Sequence, residues 1–190
     1  GEWCNTHAYV RTDLVGYMNQ RFTPKQPVRV GVIPFDVPAN LASRGSQMPG
    51  LGNRLAWAVH RRLMETENFP IIEVLNREDW PRKREQFFTG NFGALRFAAE
   101  AGYDMVVVGY LEPFNRLDTW TIHTKIIEVA SGTTLWFGTS TVYTSRQDMF
   151  EVSSSVGLTD RRPDILYSDQ LFEEVAKCIA YDMTHDPEVD

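Results

Sequence analysis

The run Met105-Val106-Val107-Val108-Gly109-Tyr110-Leu111 is apolar at nearly every position. A strand with one face in water alternates apolar and polar residues, whereas a strand covered on both faces has no reason to. The run therefore predicts a central strand with packing layers above and below it. Around it, Val28–Phe35 is β-branched and stopped by Pro34 and Pro38, which predicts a strand. Leu51, Leu55, Val59 and Leu63 recur every four residues and predict a helix. Phe69–Val74 predicts a second strand, and Phe88, Phe92, Leu95 and Ala99 mark a helix ended by Gly102. Trp120–Val129 and Thr134–Thr144 form a hairpin around Ala130-Ser131-Gly132-Thr133. Phe172, Val175, Ala176, Ile179 and Met183 share one face of a last helix. The order β-α-β-α-β-β-β-α predicts one α/β domain, a mixed β-sheet packed by helices.

Residues 1–27 are polar and end in Thr23-Pro24-Lys25-Gln26-Pro27, which reads as a leader or linker with one weak helical turn at Leu14–Met18. The domain is expected over 28–184, with a short tail at 185–190. The net charge of −6, with no long basic stretch, disfavours nucleic acid as a partner. No run of 18 apolar residues is present to span a bilayer as a helix. Cys4 and Cys178 have no metal-type spacing. Three readings stand for them: two free thiols, a long-range disulfide in an oxidising compartment, or a lipid on Cys4. The residues before Cys4, Gly1-Glu2-Trp3, are not the small apolar set that precedes a lipidated cysteine.

If the first three strands run parallel, their exit loops, 36–49, 75–87 and 112–119, leave from one end of the sheet. The hairpin brings loop 145–168 to that end too, and sites in such sheets favour it. These loops carry Met48, Trp80, Phe114 and Phe150 together with Arg44, Arg116 and Arg146. Aromatic residues with arginine are the makeup of contact surfaces, so this end is the candidate partner-binding site.

Catalytic and metal patterns are poor. His7, His60, His123 and His185 have no ligand spacing to one another. His123 alternates with Ile122 and Thr124 in a strand, where a solvated or hydrogen-bonded histidine is the ordinary reading. There is no Gly-x-Ser-x-Gly elbow. Met48-Pro49-Gly50-Leu51-Gly52-Asn53 precedes a helix, but about fourteen residues separate Phe35 from Gly50 and Leu55 stands where a third glycine belongs. It is better read as a helix entrance with Pro49 near the first turn. An enzyme binding a small molecule or nucleotide on the Gly50–Asn53 helix end is the alternative of another class. No enzyme activity, cofactor or metal is expected.

Five segments in order carry a likeness: "VRVGVIPF", "GNRLAWAVHRRLMETENFPIIEVLNREDW", "AAEAGYDMVVVGYL", "IIEVASGTTLWFGTSTV" and "LFEEVAKCIAYDM". Together, over 28–184, they resemble a bacterial envelope family. It includes the curli-secretion channel lipoprotein, the outer-membrane lipoprotein activators of penicillin-binding proteins, and the N-terminal domain of the Tol–Pal β-propeller protein. The resemblance implies a Gram-negative periplasmic domain, often tethered to the outer membrane by an N-terminal lipid. It implies an adaptor, activator or ring-forming secretion part with an envelope protein or further copies of itself as partner. A lipid at the N-terminus would be its only membrane attachment. The chain lacks the amphipathic hairpins of the channel member and carries no β-propeller.

Overall fold

In a computed structural model, the structure describes residues 4–37, 50–75, 87, 93–112, 119–143 and 163–185. The elements are β1 (Cys4–Arg11), α1 (Leu14–Arg21), β2 (Arg29–Val32), α2 (Leu51–Glu65), β3 (Ile71–Val74), α3 (Gly93–Glu100), β4 (Met105–Leu111), β5 (Thr119–Glu128), β6 (Thr134–Tyr143) and α4 (Pro163–Thr184). The six strands form one sheet in the order β1-β6-β5-β4-β2-β3. β2 runs parallel to β3 and β4, and the other neighbours are antiparallel. The α/β class and the mixed sheet are as expected from the sequence.

β4 is buried along its whole length. Met105, Val107 and Leu111 enter a large core with α1, α2 and α4, while Val106, Val108 and Tyr110 enter a second core with Phe87 and Ala98 of α3. Burying each such side chain contributes about 1.5–3 kcal/mol, which makes β4 the strand that both layers depend on. This second core also takes in Ile127 of β5 and meets Phe137 of β6. Among the described residues, the rest of that face on β1, β5 and β6 carries half-exposed or exposed residues, Tyr9 and Tyr143 among them. Gly132 turns the β5–β6 hairpin at φ 73°, a left-handed position that suits glycine.

Two expectations are corrected. Within 1–27, expected as a leader or linker, Cys4–Arg11 is instead a strand of the sheet, paired with β6, and Asp13 caps α1 by accepting from the Gly16 amide at 3.0 Å. Leu14 and Met18 of α1 are buried in the main core. The strand escaped the hydrophobic pattern because none of its residues is fully buried. The last helix also starts earlier than the expected loop 145–168 allows, at Pro163. The segments 38–49, 76–86, 88–92, 113–118 and 144–162 and the tail 186–190 lie outside the described residues.

Candidate functional site at the loop end of the sheet

The register fixes which chain ends meet. Val32, Val74 and Leu111 end parallel strands, and β6 runs parallel to β4 through the antiparallel β5. The carboxyl ends of β2, β3, β4 and β6 therefore lie at one end of the sheet, as do the N-termini of β5 and β1. Cys4 and Trp120 both pair with Val142 there. Segments 38–49, 76–86, 113–118 and 144–162 all leave from this end. Arg44, Met48, Trp80, Phe114, Arg116, Arg146 and Phe150 sit on those segments, outside the described residues.

Behind this end the framework is stiff. Phe35 is 2% exposed, and its amide donates to the Gly52 carbonyl at 3.0 Å. A Cβ on Gly52 would fall on the Phe35 carbonyl oxygen. Gly52 thus brings the start of α2 against the exit of β2, and the space a phosphate would need at that glycine is filled by protein backbone. Gly50, at φ 75°, is the N-cap and makes no side-chain capping bond. Trp120 packs edge-on against Phe172 of α4, ring centroids 5.4 Å apart.

A polar row crosses the face of the sheet that carries the second core. Register pairs align His7, Thr139, His123 and Tyr110 across four strands. His123 Nε2 lies 2.6 Å from Glu112 Oε1, its Nδ1 lies 2.7 Å from Thr139 Oγ1, and its ring stacks on Tyr110 at 4.5 Å. Carboxylate, imidazole and hydroxyl in one chain is the order of a nucleophile with its base. The β6 backbone at Thr139 pairs with β1 on one side and β5 on the other. The row ties Glu112, at the exit of β4, across β5 to β6. One row along, Lys125 donates to the Phe87 carbonyl at 2.6 Å and lies 4.3 Å from that ring's centroid. Burial holds its ammonium below the usual lysine range. Sequence reasoning missed this network because its members lie on separate strands. The alternation that puts His123 and Lys125 on one face of β5 was the available signal.

At the rim, Cys4 is disulfide-bonded to Cys178 of α4, with Cα atoms 6.4 Å apart. A sulfur so bonded is neither a free thiol nor open to a lipid thioether. Among the described residues no group of three or more His, Cys, Asp or Glu side chains is placed to hold a metal ion, and no helix is long and apolar enough to cross a membrane.

No family model matches the chain, and no curated protein does. Solved structures do. The chain is similar to the PelC dodecamer from Paraburkholderia phytofirmans, at 13% identity and TM-score 0.51, over 96% of this chain and 99% of that one. It also matches the LpoB C-terminal domain from Salmonella enterica at 16% identity and TM-score 0.34, over 69% of this chain and 93% of that one. TolB from Acinetobacter baumannii matches at 15% identity and TM-score 0.41, over 88% of this chain and 31% of that one. The likeness to the PelC structure establishes a shared fold.

Proposed function

We propose that the chain is a non-enzymatic protein of the Gram-negative periplasm, associated with the outer membrane, that docks an envelope protein through the loop end of its sheet. The supporting observation is topological. Four connections, with Met48, Trp80, Phe114, Phe150, Arg44, Arg116 and Arg146 among their residues, begin and end at one rim of the sheet. A disulfide at the same rim fits an oxidising compartment such as the periplasm. Secretion, cell-wall synthesis and surface-structure assembly are the activities such an adaptor would serve.

The test uses full-length protein and the partner captured by crosslinking in its native envelope. Phe114→Ala and Phe150→Ala should each weaken binding by about tenfold or more, as interface anchors do, with the thermal midpoint unchanged. Affinities within about twofold of the parent would remove the loop end from the account.

A second reading, a subunit of a homo-oligomeric ring in an export or motility machine, is favoured by a separate observation. Exposed apolar residues lie beside both edges of the sheet: Tyr9, Val10 and Tyr181 near β1, Trp57 and Met64 on α2 near β3. The PelC structure, whose fold this chain shares, is a dodecamer. Edges of this kind on opposite sides suit head-to-tail contacts, which close into rings.

A further inference from the structure

β1 is attached to the molecule unlike any other strand. From Cys4 to Arg11 no residue is fully buried, whereas all of β4 is. A strand without buried side chains has little hydrophobic anchorage, and such segments open first. Its ladder with β6 is interrupted between Ala8 and Val10, where Tyr9 bulges out. Two side-chain attachments pin its ends, and both land on the end of α4. At one end Cys4 is bonded to Cys178. At the other, Arg11 reaches the Asp182 carboxylate at 2.6 Å and the carbonyls of Asp182 and His185 at 3.0 and 3.1 Å. Beneath it, β6 keeps its own anchors: Leu135, Trp136 and Val142 are buried in the main core.

We propose that the Cys4–Cys178 disulfide is a redox latch on β1. Oxidised, it holds the strand on the sheet edge. Reduced, it lets β1 leave and opens the edge of β6 to an incoming extended strand. The matching strand is β1 of a second copy of this chain, because its sequence already fits the β6 register from Val142 to Trp136. A dithiol is the reductant. Its thiolate attacks one cysteine sulfur, the mixed disulfide is resolved by its second thiol, and two electrons pass to the protein. Cys4 and Cys178 each take a proton, and the reductant leaves as a cyclic disulfide.

The experiment is amide hydrogen exchange on the full-length chain before and after dithiothreitol, with thiol labelling to show complete reduction. Amides of 4–11 should exchange on the order of a hundredfold faster once reduced, with the edge amides of β6 following and α2 and β4 unchanged. A fluorescent peptide of residues 4–12 carrying Cys4→Ser should then bind the reduced protein and not the oxidised one. In the oxidised protein, Arg11→Ala should speed exchange only over Ala8–Arg11. Unchanged protection of β1 after reduction would overturn the latch. So would loss of protection along the whole chain, which would make the disulfide a global staple. A peptide that ignores the reduced protein would remove the acceptor edge, and an Arg11→Ala protein protected like the parent would remove the second attachment point.

Discussion

Gly52 is the residue at which a motif and its use diverge. In sequence it belongs to a glycine pair before a helix, but in the fold its missing side chain is space taken by the Phe35 carbonyl. Gly52→Ala should therefore destabilise by about 1–3 kcal/mol, read as a lower denaturant midpoint at unchanged slope. Lys125 makes the complementary case for a charge. Burial lowers its ammonium pKa from the ordinary 10.5. Between the lowered folded value and 10.5 the unfolded chain binds more protons than the fold, so this group's contribution to stability rises with pH across that window. Below the window the desolvation penalty of the charged form is present in full. Unfolding free energies of the parent and of Lys125→Met, compared as pH is raised toward 10.5, should shift relative to each other in the parent's favour. A difference that stays flat would mean the ammonium is solvated.

At the scale of elements, burial ranks what matters. α2 and α4 meet through both an ion-pair cluster and a core. Glu173 accepts from Arg61 and Arg62, the latter at 3.1 Å, but all three side chains are at least a quarter exposed. Ile179 is wholly buried. Glu173→Ala should cost no more than about 1 kcal/mol and Ile179→Ala about 2–5 kcal/mol, by chemical denaturation. The same ranking explains what could be read beforehand. β4 and α2 were legible because burial on both faces, or along one stripe, leaves a periodic mark. β1 left none: Thr6 and Ala8 face inward without being fully buried, so its place depends on backbone pairing, one disulfide, Arg11, the Thr6–Ser140 hydrogen bond and the Tyr9–Phe137 ring contact, which no local pattern encodes. The first turns of α4 hid for a related reason, since Ser168 and Asp169 dilute its apolar stripe.

For the whole molecule, the parallel and antiparallel sense of five of the six strands was legible from element order, and with it the end of the sheet where the long connections gather; the edge strand β1 was not. The Glu112–His123–Thr139 network was not, because it needs the register of three strands before its members become neighbours. If the ring reading holds, native mass spectrometry should find a closed oligomer, and Tyr9→Asp or Trp57→Asp, at opposite edges, should each reduce it to the 21.8 kDa monomer. A monomeric parent would leave the adaptor reading alone.

Trp136 draws several of these features into one place. Its ring is fully buried, Gly138 leaves room for it, and its Nε1–H donates at 2.9 Å to the Asp182 carboxylate that also holds Arg11. An indole held dry between β6 and α4 emits toward the blue, and water reaching it moves that emission to the red. The protein thus carries its own optical gauge at the junction of its edge strand and last helix. Once Trp3, Trp57, Trp80 and Trp120 are replaced by phenylalanine, whatever loosens that junction, in a cuvette or under a bound partner, can be followed through light from a single native side chain.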